Sequence, residues 1–112
     1  MDCIFCKIAS GQIPSARIYE DELCFAFHDI NPQAPVHALI IPKKHIPSVD
    51  AVTADNSACI AHIFELIPVI AKTLGLEDGY RVITNCGENG CQSVHHLHFH
   101  ILGGKKLPDN MG

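Results

Sequence analysis

His95-His96-Leu97-His98-Phe99-His100-Ile101-Leu102 is the stretch on which the reading of this chain turns. On a β-strand successive side chains alternate faces. His96, His98 and His100 then share one face. His95, Leu97, Phe99 and Ile101 share the other, which packs on a core. A single metal ion held by all three rings is disfavoured. Same-face neighbours stand ~6.7 Å apart, so His96 and His100 are ~13 Å apart at Cα, whereas a Zn–N bond spans only ~2.0–2.1 Å. A phosphate-binding face fits the pattern better. An imidazole can attack phosphorus and hold a covalent intermediate, and flanking rings can stabilise the other phosphate oxygens. The plain alternative is a polar strand face open to water.

Outward from this stretch the pattern is that of a small mixed domain. Residues 3–9 suit a short helix, closed by Gly11 and Pro14. Ala16–Glu20 and Leu23–His28 read as strands joined by a turn at Glu20-Asp21-Glu22. Val36–Ile41, apolar, β-branched and bounded by prolines, is a third strand. Thr53-Ala54-Asp55-Asn56 offers helix caps. Ile60, Ile63, Phe64, Ile67, Ile70 and Leu74 then recur at helical spacing as one buried face, and Gly75 closes the helix. Pro68 predicts a kink in it. Tyr80–Thr84 is a fourth strand and His95–Leu102 the fifth. Short links between the early strands imply antiparallel neighbours. The fold class is α+β: a five-stranded antiparallel sheet with one main helix and a short N-terminal helix, in a single domain over 1–112.

Composition narrows the function. The chain has 112 residues, 47% hydrophobic and 18% charged, which is too apolar for disorder. Its formal charge of −4 lacks the basic excess of a sequence-independent nucleic-acid binder. No stretch approaches the ~20 apolar residues of a membrane span, and the first residues lack a secretory leader's basic start and apolar run. A cytoplasmic protein with no nucleic-acid or membrane partner is expected. The unusual content is eight histidines and six cysteines. Reduced thiols are expected in that compartment. Cys24 and Cys59 fall in apolar patterns and read as core. Cys3 and Cys6 form C-x-x-C, a metal-ligand spacing. The alternative is two free thiols in an apolar turn.

His96-Leu-His98-Phe-His100-Ile-Leu102 resembles the H-x-H-x-H-x-x motif of the histidine-triad (HIT) superfamily. Phe25–Pro35, His37-Ala-Leu-Ile-Ile-Pro-Lys-Lys-His45, Gly90-Cys-Gln-Ser-Val94 and Leu102-Gly-Gly104 are similar to its Hint branch. The retained third histidine separates the chain from the nucleotidyltransferase branch, and Leu102-Gly103-Gly104 from the Fhit-like branch. The resemblance implies a HIT-like homodimer with a purine nucleotide site. It implies a hydrolase that cleaves purine nucleoside phosphoramidates through a nucleotidyl-histidine. His98 would be the nucleophile, His100 a phosphate contact, His37 a partner of the central ring, and His96 an ordering group. Ser93 would assist the leaving group, with Gln92 near the scissile bond. Asp29 would hold the ribose hydroxyls, and Asn85 would lie near ribose and phosphate. Ile4, Phe5, Phe27 and Ile30 would form the purine pocket. His28 falls inside the same nucleotide-binding stretch, and like His95 it is expected to pack rather than react. His62 reads as surface or helix edge.

The resemblance also implies structural zinc, held by Cys3, Cys6, His45 and His96. The chain departs from the family in its 105–112 tail, which lacks the tryptophan of well-known animal members. Cys91 stands where many members have Gly, and Cys86 is unusual beside Asn85. Two other readings compete with the enzyme. One is a purine-nucleotide-binding adaptor with little turnover on the same scaffold. The other is a zinc-binding structural module.

Overall fold

Antiparallel pairing orders five strands as β1-β2-β3-β5-β4 in a computed structural model that describes residues 3–112. The strands are β1 (Arg17–Glu20), β2 (Cys24–His28), β3 (Val36–Pro42), β4 (Tyr80–Ile83) and β5 (Phe99–Gly103). A six-residue helix α1 (Ile4–Ala9) precedes them, and α2 (Ser57–Thr73) links β3 to the outer strand β4. A 3-10 turn at Val49–Ala51 was not foreseen. The fold is the α+β arrangement expected.

β3 lies at the centre, and this explains its composition. Covered on both faces, it is apolar at nearly every position and buried from His37 to Pro42. One face (Cys24, Ala26, Ala38, Ile40, Phe99, Ile101) packs on Cys59, Ile63, Leu66, Ile67 and Ile70 of α2. The other (Phe25, Phe27, Leu39, Ile41) packs on Cys3, Phe5, Ile8 and Ala9. Cys24 and Cys59 are core residues, as read.

α2 begins after Asn56 and is continuous through Pro68. Its end is a Schellman motif. The Gly75 N–H donates to the Lys72 carbonyl at 3.1 Å and the Leu76 N–H to the Ala71 carbonyl at 2.9 Å. Gly75 sits at φ +75, a conformation that favours glycine. One expected core position is corrected. Phe64 is 53% exposed, although its ring meets Phe99 edge to face. It lies about 100° round the helix from Ile63, beyond the stripe that faces the sheet.

The fifth strand is also corrected. It starts at Phe99 rather than His95. β3 pairs with it through Ile40↔Phe99 and ends at Pro42, which has no N–H to extend the ladder. Residues 94–96 bend, and the Leu97 N–H donates to the Ile46 carbonyl at 2.6 Å. The alternation of faces survives: Leu97, Phe99 and Ile101 point to the α2 core. His95 and His28, expected to pack, are both exposed. His95 sits in the bend. His28 ends β2 with the parity of Cys24 and Ala26, so it faces away from Phe27.

The β1–β2 turn is held by Asp21, whose Oδ1 accepts the Leu23 and Cys24 N–H groups at 2.8 and 2.9 Å. Its Oδ2 accepts from Tyr19 and from His62 of α2, at 2.9 and 2.5 Å. Burial opposes ionisation of Asp21, but hydrogen bonds from His62 and the turn outweigh it and hold its carboxyl well below the usual range. The bond to Asp21 raises His62. The Asp21 contribution is present above its unfolded pKa and is lost as pH falls through the depressed folded value. The His62 contribution is present below its unfolded pKa and is lost as pH rises through the raised one. The melting-temperature difference between wild type and His62→Gln should therefore be largest in mildly acidic solution and shrink on both sides. A difference that stays constant with pH would show that the pair contributes no charge-dependent stability.

Candidate functional site

Two groups of side chains meet on the sheet face opposite α2, and His96 belongs to one of them while its neighbours belong to the other. The first group joins α1, the segment after β3 and the segment before β5. Cys3 Sγ lies 3.4 Å from His96 Nδ1, Cys6 Sγ 3.4 Å from His45 Nδ1 and 3.5 Å from His96 Nδ1, and the two Nδ1 atoms are 3.2 Å apart. All four donor atoms lie within 4.8 Å of one another. Around one tetrahedral zinc, standard bond lengths place N and S about 3.5 Å apart and two N atoms about 3.3 Å apart. The four residues fit a metal ion, and the second contacts support it. His96 Nε2–H donates to the Pro42 carbonyl at 2.8 Å, which leaves Nδ1 bare toward the sulfurs. The Cys3 sulfur also accepts the Cys6 N–H as cap of α1, at 3.4 Å. Without a cation, burial and the neighbouring Cys3 push the Cys6 thiol up.

The second group is His98, His100, His37 and Asp29. His98 is 3% exposed, with Phe5 set edge-on against its ring at 5.1 Å. Its Nδ1–H donates to the His96 carbonyl at 2.7 Å, which assigns the lone pair to Nε2. Thr84 Oγ1 donates to the His98 carbonyl at 2.8 Å and pins the segment to the end of β4. The Gln33 N–H donates to His37 Nδ1 at 3.0 Å, so the His37 proton sits on Nε2. That proton points at His100 Nδ1, 2.9 Å away, with Asp29 Oδ2 at 3.4 Å. His100 then carries its own proton on the outward Nε2. Backbone groups thus assign the tautomer of each of these rings.

Burial lowers all four ring pKa values, with opposing help from the Pro42 carbonyl at His96, the His96 carbonyl and Asp29 at His98, and Asp29 at His37. At His100 burial together with His98 and His37 brings the pKa down to about 4. The rings are neutral at pH 7, the state in which an imidazole can act as a nucleophile or ligand.

Other nominated residues are placed unevenly. Phe5 and Phe27 are buried with ring centroids 5.7 Å apart, while Ile4 is 50% and Ile30 90% exposed. Asn85 Nδ2 donates to the Gly90 carbonyl at 2.7 Å. Gln92 ties the loop together: its Oε1 accepts the Gly87 N–H, and its Nε2 donates to the Pro47 and Val94 carbonyls. Ser93 is exposed beside it. The loop is tight. A Cβ on Gly90 would lie 2.4 Å from the Cys86 carbonyl oxygen. Cys91 holds a left-handed φ of 59, at a position where a glycine would sit without strain. A cavity of about 670 Å³ lies between Leu76, Arg81 and Lys105, and none of the nominated side chains lines it.

Sequence reasoning missed the Gln33 N–H, the Pro42 and His96 carbonyls and Thr84. Backbone partners carry no residue signature, so only Thr84 had a side chain that could have been found.

The five-stranded antiparallel sheet carries histidines on one face with the Cys₂His₂ cluster beside them, the arrangement expected of a histidine-triad protein. The comparisons agree, with the HIT domain matching residues 10–107. An uncharacterised HIT-like protein of Synechocystis is 48% identical over 93% of this chain and 91% of its own. A histidine triad protein from Clostridium difficile superposes with TM-score 0.94 at 52% identity, covering 98% of this chain and 96% of that one. A HIT family hydrolase from Legionella pneumophila gives 0.95 at 46%, covering 99% and 100%. This chain belongs to the HIT domain family.

Proposed function

We propose that the protein hydrolyses purine nucleoside phosphoramidates, adenylylated amines among them, through a nucleotidyl group carried on His98. The observation that supports this most directly is the bond from His98 Nδ1–H to the His96 carbonyl. It leaves Nε2 as a neutral lone pair on a ring held by Phe5 and the backbone. In this reading Nε2 attacks the α-phosphorus, the amine departs, and water then releases the nucleotide. His100 Nε2–H faces a phosphate oxygen, and His37 holds His100 in that tautomer. Ser93, exposed next to Gln92, assists the leaving group. Asp29 takes the ribose hydroxyls, with Asn85 near ribose and phosphate. Phe5 and Phe27 form the floor of a purine pocket that Ile4 and Ile30 complete. Relatives named as HIT family hydrolases support the reading. The test is release of nucleotide from adenosine 5′-phosphoramidates by the wild type. Binding without release would favour the adaptor.

The Cys3, Cys6, His45 and His96 site is assigned to zinc. Two sulfur and two nitrogen donors suit that ion, and four protein ligands leave no open position. Zinc there would cross-link α1 to the sheet. His96 orders the strand beside His98 rather than touching the substrate.

The homodimer is assigned to the outer edge of β4. Among the described residues no strand covers that edge in the sheet order, and Tyr80 and Val82 of β4 are exposed. An open apolar edge invites a second strand. Val82→Lys should yield monomers in sedimentation, with the wild type sedimenting as a dimer. A wild-type monomer would remove the assignment. Among the described residues no helix is long and apolar enough to cross a membrane.

A further inference from the structure

Asp29 carries a ribose role in the reading above, yet its carboxylate is built into the histidine cluster. Oδ1 accepts the Asn31 N–H at 2.8 Å, and the Asp29 N–H donates to the His37 carbonyl at 2.9 Å. Ligand-type atoms of Asp29, His37 and His100 lie within 4.8 Å of one another. A metal ion does not suit this trio. The Gln33 N–H keeps the His37 proton on Nε2, the atom that would have to be bare.

The same lock obstructs proton uptake. His37 Nε2–H points at His100 Nδ1, so a second proton cannot settle there until an acceptor takes these hydrogens. Among the described residues three titratable groups face His100: His98, His37 and Asp29. Of these only Asp29 is a carboxyl group. Arg81 shares this sheet face through its pairing with Leu102, but its guanidinium donates to the Pro108 carbonyl at 2.7 Å. α1 turns Phe5 toward His98, and its two thiols toward His96 and His45.

We propose that Asp29 is a positioning residue for His100. When His100 takes a proton on Nδ1, Asp29 Oδ2 accepts the displaced His37 Nε2–H and the new His100 Nδ1–H. His100 Nε2–H is then free to pass from the phosphate oxygen it faces to the leaving nitrogen, with Ser93 assisting. The inference rests on the nucleotidyl-transfer reading. The solvent supplies the Nδ1 proton, and the anionic phosphate of the substrate favours its uptake. The bond from His98 Nε2 to phosphorus forms as the P–N bond breaks. The electron pair of the broken bond stays on nitrogen, which takes the proton from His100 Nε2. His100 is left neutral with Nε2 bare. There it takes a proton from the water whose oxygen attacks phosphorus, and the P–N pair returns to His98. One ring serves as acid and then as base.

The test is Asp29→Asn, which keeps the size of the side chain and an oxygen for the Asn31 N–H. Histidine titration is followed by NMR on the protein free and with AMP bound, and kcat and KM are followed across pH. The variant should show His100 titrating at lower pH. Its kcat at neutral pH should fall by at least about tenfold and recover in part as pH is lowered. A residue that only holds ribose would raise KM and leave the kcat profile and the His100 titration unmoved. That result overturns the proposal. If the variant fails to fold, ring-nitrogen shifts of the wild type decide: protonation of His37 before His100 overturns it. Absence of wild-type turnover would remove the hydrolytic reading instead. The titration, which needs no reaction, would still report on the link to Asp29.

Discussion

His98→Ala should abolish release of nucleotide from an adenosine 5′-phosphoramidate, by about 10⁴-fold or more, while nucleotide affinity changes only a few-fold. The reason is geometric. His98 is the ring whose lone pair on Nε2 is bare and whose other nitrogen is tied to its own backbone segment. Removing it deletes the atom proposed to form the covalent bond and leaves Phe5 and Phe27, the proposed purine floor, in place. A variant that binds but does not turn over supports the nucleophile. If wild type and variant bind alike and neither releases nucleotide, hydrolysis is lost and the adaptor reading takes its place. A variant that retains turnover would move the covalent bond to another atom. The ring fills space between Phe5 and β5, so a melting curve must accompany the assay. Loss of about 2–4 kcal/mol from a buried ring would lower the melting temperature without unfolding the chain at 25 °C.

Cys3→Ser should release one zinc per protomer and lower the melting temperature by about 10 °C or more, as should a strong chelator acting on wild type. The estimate takes about 3 kcal/mol for the lost cross-link and about 4 °C per kcal/mol for a domain of this size. The cluster joins α1 to the segments after β3 and before β5, and α1 is too short to persist alone. Losing it would also expose Phe5 and Ile8, now buried. His98 rests on Phe5, so turnover should fall together with stability. Metal analysis of the purified protein checks the first claim and calorimetry the second. Protein that contains no zinc, and melts alike with and without chelator, would return the cluster to two free thiols.

These two sites were legible in the sequence to different degrees. The period-two histidines were read from an alternation that the backbone only partly supports. The pairing stops at Phe99, because Pro42 ends β3, and the bend at 94–96 swings His96 toward Pro42, Cys3 and Cys6. A straight strand would have kept all three rings equivalent. The bend divides them, one to the cluster with Cys3, Cys6 and His45 and two to the group with His37 and Asp29. Cys3 and Cys6 were visible as a spacing. Their partners came from a family resemblance, because nothing local links residue 6 to 45 or 96. Phe64 shows the limit of periodicity, which locates a helix face but not the width of the sheet beneath it.

By itself the sequence determined the local choices: strands where apolar residues alternate or run together, the α2 stop at Gly75, the turn at Asp21 and the chemical inventory of imidazoles and thiols. Those follow from short-range sterics and hydrogen bonding, which a window of a few residues contains. The tertiary structure decided strand order, with β5 inserted between β3 and β4. It also decided which nitrogen of each histidine bears the proton. That second property depends on a carbonyl or an N–H brought in from elsewhere: Pro42 for His96, and Gln33 for His37 and, through it, His100. A backbone group has no side-chain identity, so the partner that sets the chemistry appears only when the chain is folded.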